Sequence, residues 1–333
     1  MTAVTEIDGG ELPWLAPARL RLNHSWVQGR LAHGLLVYGT EGVGKRALAQ
    51  WIARAVLCDR NRSELRACGE CASCRLLRAG THPDLTMLAP EEGKQQISVD
   101  QVREMSASLA LTSFRQGYKV AVVEPAQQMT MAAANSLLKT LEEPASRTLL
   151  ILVATRLSGL LPTLRSRCQQ IAIAVPPETT ARNWLAAAGG ASVSPALFEL
   201  ARGAPLRALA YAESGVEERL QEVDAALSAL ASGRADVTQI AKRWASETLP
   251  ERLLCMDYWL ERLLRATIAG TDDRFTRDIL PSGVKQLNIK RLFACVDRLR
   301  ELRSRLERVA LQRELAVESL LIELAAAIRL QAA

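Results

Sequence analysis

The chain has 333 residues, is 49% hydrophobic and carries a formal net charge of +6. That length and apolar content suffice for two or three domains with large cores and exclude a disordered or low-complexity chain. Its basic residues are mostly arginine, with only seven lysines, a modest excess that permits nucleic-acid contact without requiring it.

The first half alternates short apolar strands with helical patterns. Gly34–Tyr38 (GLLVY) reads as a buried strand, followed by a glycine loop and a helix over 45–57. A cysteine-rich insertion spans 58–74, and a second short strand is expected at 85–89. Ser98 opens a helix with Gln101 three residues on, the spacing of a capping box. Lys119–Val123 (KVAVV) reads as a third strand. Thr130 can cap a helix that runs to Glu143 and is stopped by Pro144. Further strands are expected at 149–154 and 171–175. Continuous apolar strands separated by helices predict a parallel sheet covered on both faces.

Beyond Pro176 and Pro177 no strand pattern is convincing. Residues 178–214 read as a short helical segment, and from 215 the chain reads as long amphipathic helices. Leu253, Leu254, Met256, Trp259, Leu260, Leu263 and Leu264 recur at helical spacing, as do Leu292, Val296, Leu299, Leu302 and Leu306. The last helix, 314–330, is apolar over much of its surface and needs a bundle core or a partner to cover it. The fold class is therefore α/β plus all-α, in three parts: 1–175, 176–214 and 215–333. Residues 1–12 include acidic side chains and no apolar core, unlike a secretory signal, and the longest apolar run, 149–154, is far short of the roughly 20 residues of a membrane span. A cytoplasmic location with no membrane partner is expected, where thiols stay reduced.

Gly39-Thr40-Glu41-Gly42-Val43-Gly44-Lys45-Arg46 follows a strand and opens a helix. This is the setting of a P-loop, in which backbone N–H groups cradle phosphates and a lysine reaches the outer ones. The next position normally holds Ser or Thr to bind magnesium. Here it is Arg46, which cannot ligate a cation. The third strand should end in an acidic pair, yet the chain reads Glu124-Pro125. Glu124 can stand in for the metal-organising acid, but proline has no side-chain acceptor with which to polarise water. Two independent losses predict a pocket that does not hydrolyse ATP. The intact Gly39, Gly42, Gly44 and Lys45 leave nucleotide binding itself an open question.

Cys58, Cys68, Cys71 and Cys74 give C-x₉-C-x₂-C-x₂-C. The short C-x₂-C spacings let thiolates converge on one tetrahedral ion, and four cysteines make a closed, structural zinc site with no position left for substrate. His82 can substitute for one ligand, but support of the loop 80–84 is the better reading. Cys255 and Cys295 lie in apolar stripes and read as core.

The run Asn135-Ser136-Leu137-Leu138-Lys139-Thr140-Leu141-Glu142-Glu143-Pro144 and the segment Leu164-Arg165-Ser166-Arg167-Cys168 resemble the signatures of bacterial clamp-loader AAA+ subunits. The stretches AGTHPD (79–84) and QREL (312–315) add to the likeness, which extends over essentially the whole chain. The cysteine module resembles the zinc insertion of the same family. The resemblance implies a RecA-like AAA+ domain, a small helical lid and a C-terminal helical collar in a hetero-pentameric ring. Its partners would be the gamma/tau motor subunits and delta, with the sliding clamp and primed DNA met through the assembly. Motor subunits of the family keep an intact P-loop and an Asp-Glu pair. This chain matches instead the family pattern of degenerate nucleotide motifs with Ser-Arg-Cys retained, so it would have no ATPase or polymerase activity of its own. In that family the Ser-Arg-Cys arginine, here Arg167, points into a neighbour's ATP site, with Ser166 and Cys168 seating the turn. Thr155 ends the fourth strand, where the family places a polar sensor beside the γ-phosphate; capping the strand is an equal reading. Arg207 falls near a second sensor position but reads better as a solvated helix arginine.

Overall fold

The computed structural model describes residues 12–60, 63–270, 287–306 and 312–328. The stretch 1–11 and the last two residues of the expected final helix, 329–330, lie outside the described residues. The chain forms two compact units: Met1–Val193 with Ala201–Ala210, and Ser194–Leu200 with Tyr211–Ala333. Residues 176–214 are thus shared between them.

The first unit runs α1 (Ala16–Val27), β1 (Gly34–Tyr38), α2 (Lys45–Val56), α3 (Ala72–Arg78), β2 (Leu85–Leu88), α4 (Val99–Ala110), β3 (Lys119–Val123), α5 (Met131–Glu142), β4 (Thr148–Ala154), α6 (Pro162–Arg167), β5 (Gln169–Ala172) and α7 (Glu178–Ala187). The five strands form one sheet in the order β2-β3-β4-β1-β5, with every pairing parallel. Strands β3 and β4 are buried along their whole length, which is why their sequences are continuous rather than alternating. Leu36, Ala121 and Leu150 face a core that includes Val102 and Met105 of α4 and Leu137 of α5. Their strand neighbours point the opposite way, toward the face on which α2 packs. Both expected caps form: Ser98 and Gln101 make a reciprocal capping box, and Thr130 accepts from the Ala133 N–H.

The fifth strand departs from the expected 171–175. It lies at 169–172, begins with two exposed glutamines and buries Ile171. As an edge strand paired only with β1 it does not need a continuous apolar run. The ladder goes one residue further, from the Ile173 N–H to the Tyr38 carbonyl at 2.8 Å.

The AGTHPD stretch has a structural purpose. The Asp84 carboxylate is almost fully buried and accepts the Phe114 N–H at 2.9 Å, the Ser113 hydroxyl at 3.1 Å and the Arg115 N–H at 3.2 Å. It thereby ties the α4–β3 connection to the start of β2. Replacing Asp84 by Ala leaves the Phe114 N–H without its acceptor and the Arg115 N–H with only the Ser113 hydroxyl at 3.3 Å, and should destabilise the chain by about 2 kcal/mol, read by urea unfolding.

The second unit is helical: α8 (Pro195–Leu200), α9 (Pro205–Glu213, which crosses the boundary), α10 (Val216–Ala231), α11 (Val237–Trp244), α12 (Leu249–Ala269), α13 (Ile289–Leu306) and α14 (Arg313–Ile328). Helix α12 packs on α10 and α13, and α14 on α11 and α13. The apolar stripes read from sequence form this core, with Leu253, Met256, Leu260, Leu263, Leu292 and Leu299 fully buried. Cys255 and Cys295 are buried with them. Buried Asp257 of α12 is paired with Arg303 of α13 at 2.9 Å. Helix α14 buries Val317, Leu321 and Leu324 but leaves Leu315 and Ile322 exposed. No strand occurs past β5 among the described residues, and no described helix is long and apolar enough to cross a membrane.

Candidate functional site

Strand β1 delivers the glycine loop to the edge of the sheet where the strands end, and α2 begins at Lys45. Gly42 and Gly44 hold φ of +80° and +90°, conformations that favour glycine. A side chain at Gly42 would also lie 2.4 Å from the Arg207 Cβ. The loop is held from two sides: Leu206 donates its N–H to the Gly42 carbonyl at 3.1 Å, and the Trp14 indole donates to the Val43 carbonyl at 2.9 Å. Arg207 is therefore not the solvated arginine that its sequence position suggested. It packs against the loop, and its guanidinium lies 3.8 Å from Glu41. Trp14 and Leu206 carry no sequence signal for this role, because only the folded chain brings them to the loop.

The charged groups of this pocket are engaged internally. Lys45 is 7% exposed, and its ammonium donates back to the Thr40 carbonyl at 2.8 Å. Burial lowers its pKa from the usual lysine value; Glu41 and Glu124 oppose the shift and Arg207 adds to it. Arg46 donates from Nε to Glu124 Oε2 at 2.6 Å. Arg46, at the position where a P-loop carries its hydroxyl residue, thus occupies the acid that follows β3. Pro125 follows directly, ahead of a single 3-10 turn. Thr155, just past β4, is exposed and gives its N–H to the Gln127 side chain at 3.3 Å.

Arg167 lies at the other end of the sheet. It closes α6 immediately before β5, whose Gln169 pairs with Leu35 near the start of β1. A side chain at Gly34 would sit 2.7 Å from Leu141 of α5 and 3.4 Å from both the Arg167 carbonyl oxygen and the Cys168 sulfur, so glycine permits this close packing. Strand β1 alone separates Gly34 from the glycine loop by about 13 Å. The guanidinium is paired with Glu142 at the end of α5, from Nη2 to Oε1 at 2.6 Å, and Nη1 donates to the Thr163 carbonyl at 3.1 Å. Ser166 donates to the same Thr163 carbonyl, and burial pushes the Cys168 thiol up to about 11.

The four cysteines converge, with their sulfur atoms all within 4.8 Å of one another. Cys58 to Cys71 and Cys68 to Cys74 are each 3.9 Å apart. A tetrahedral ion with metal–sulfur bonds of about 2.3 Å needs sulfurs about 3.8 Å apart, so the donor set fits. Three backbone N–H groups point at sulfurs: Cys68 to Cys58, Cys71 to Cys68 and Cys74 to Cys71, at 3.3–3.4 Å. These bonds favour thiolate. Backbone donors from Glu70 and Cys71 bring Cys68 down to about 6, whereas burial and the neighbouring thiol of Cys71 push Cys74 up to about 12. His82 is not part of this cluster. Its Nδ1 accepts the Asp84 N–H at 3.2 Å and its Nε2 faces the Ser73 hydroxyl at 3.2 Å. Ser73 in turn donates to Asp59 at 2.7 Å, and Arg115 closes on the same carboxylate at 3.2 Å. This chain of bonds anchors the module to the body of the first unit.

Residues 17–177 match the family model described as DNA polymerase III, delta subunit, and residues 215–326 match that described as DNA polymerase III, delta subunit, C terminal. The chain is 37% identical over 303 residues to DNA polymerase III subunit delta' of Pseudomonas aeruginosa, covering 88% of this chain and 91% of that protein. It is 38% identical over 255 residues to the Escherichia coli protein of the same name, covering 76% and 74%. It is also 30% identical over 149 residues to DNA polymerase III subunit tau of Bacillus subtilis, covering 45% of this chain and 26% of that protein. Identity at this level along nearly the full length of a relative leaves one assignment: the chain belongs to the DNA polymerase III subunit delta' family.

Proposed function

We propose that this chain is the non-hydrolysing member of a clamp-loader ring and completes a neighbour's ATP site with Arg167 while the sliding clamp is loaded onto primed DNA. The observation that carries this reading is the separation of Arg167 from the chain's own glycine loop by the length of β1. An arginine so placed cannot serve the pocket of Lys45, but it stands at an outer edge, 37% exposed, where another chain can meet it. A planar, permanently charged guanidinium suits the charge that develops on a transferring phosphoryl group. The internal pairing of Arg46 with Glu124 and the absence of an acid at Pro125 support the same division of labour. The partners are gamma/tau motor subunits and delta in a five-membered ring, with 1–175 as a RecA-like AAA+ domain, 176–214 as lid and 215–333 as collar. Zinc is the ion expected at Cys58, Cys68, Cys71 and Cys74, in a structural role, since four thiolates leave it no open position. The test is ATP hydrolysis by a reconstituted loader carrying Arg167→Ala in this chain; an unchanged rate contradicts the proposal.

The intact glycine loop favours a second reading, that this chain is itself a motor subunit of the same loader. That reading requires turnover by the isolated chain, lost in Lys45→Ala.

A further inference from the structure

We propose that Glu142 is a positioning residue for Arg167, holding the guanidinium in the attitude in which it is presented to the neighbouring subunit. This inference rests on the trans-acting reading of Arg167 given above. The two residues sit on different helices, Glu142 in the last turn of α5 and Arg167 in the last turn of α6. The guanidinium is met from two sides, by the Glu142 carboxylate as an ion pair 2.6 Å from Nη2 and by the Thr163 carbonyl, which accepts from Nη1 at 3.1 Å. One hydrogen bond at Nη1 and one ion pair at Nη2 restrict the rotations of a long side chain before any partner arrives, which is the physical content of preorganisation. Among the described residues the Nε–H makes no hydrogen bond.

The base of the pair is rigid. His33 Nε2 lies 2.9 Å from the Leu141 carbonyl and fixes the end of α5. The missing side chain at Gly34 lets Leu141 and the Arg167 backbone close over the start of β1. Glu142 is 49% exposed, so it contributes little to the core, and its use lies in where it holds the arginine. Half-exposed ion pairs of this kind change an equilibrium by at most about fivefold, which sets the scale of the effect.

The experiment is the ATPase of a loader reconstituted with motor subunits, delta and this chain as Glu142→Ala, Glu142→Gln, Arg167→Ala or the Glu142→Ala/Arg167→Ala double variant. Assembled rings are isolated by gel filtration, and kcat and KM for ATP are read separately. Glu142→Ala should lower kcat at the neighbouring site by about fivefold with KM unchanged. Glu142→Gln, which keeps an acceptor, should recover part of that loss, and the double variant should be no slower than Arg167→Ala. An unchanged or faster kcat for Glu142→Ala, beside a slow Arg167→Ala, overturns the positioning role. So does a double variant slower than Arg167→Ala, because Glu142 would then act through something other than the arginine. If Arg167→Ala itself leaves hydrolysis unchanged, the trans-acting role fails first and the positioning role with it.

Discussion

A loader carrying Arg167→Ala in this chain should hydrolyse ATP at the facing motor site about 10³-fold more slowly than wild type, the lower end of the range for arginine fingers. The loss belongs in kcat: the phosphates are bound mainly by the motor subunit's own loop and magnesium, and the finger meets charge that appears in the transition state. Arg167→Lys should not restore the rate, because a compact ammonium cannot reproduce the planar fork. Single-turnover hydrolysis, with nucleotide affinity measured alongside, separates these effects. The pairing of Arg167 with Glu142 is also what a purely structural surface arginine would show. A structural arginine would leave hydrolysis unchanged when removed and would show its loss in unfolding midpoints. The finger predicts the reverse.

Metal loss is the second large effect. Cys74→Ser should abolish stoichiometric zinc in the purified chain and make the segment 58–74 sensitive to protease, while the sheet stays folded. Four sulfurs within 4.8 Å of one another are stable together as thiolates only around a cation. Without it, burial keeps the Cys74 thiol protonated to about 12. Binding must therefore displace protons, and zinc affinity should fall as the pH is lowered. The loss should be local, because the Asp59–Ser73–His82 bonds still anchor α3. Metal content by atomic absorption and limited proteolysis read the two effects; zinc retained at one equivalent in Cys74→Ser would remove the four-thiolate assignment.

The sheet was legible in the sequence because its central strands are buried on both faces and so are written as unbroken apolar runs, as in Lys119–Val123. The edge strand was placed two residues late, since pairing on one side only lets Gln169 and Gln170 begin it. The glycine loop, Arg46, Pro125, the cysteine spacing and Arg167 were all visible as local patterns. The contacts that decide how they behave were not. The motifs put Arg46 and Glu124 in one pocket, but nothing in the order of residues shows that they bond each other or brings Trp14 and Leu206 onto the loop. Arg207 reads as a solvated helix arginine in the sequence for the same reason. The pairing of Arg167 with Glu142 is likewise tertiary, although both lie in motifs that stand out in the sequence.

In the proposed division of labour the pocket behind Lys45 does no hydrolysis, and the chain's catalytic contribution is made across a subunit boundary. The most direct test is steady-state ATP hydrolysis by the purified chain alone, with magnesium, beside its Lys45→Ala variant. No turnover above background is expected from either protein. Sustained hydrolysis by the wild-type chain, absent in Lys45→Ala, would contradict the account.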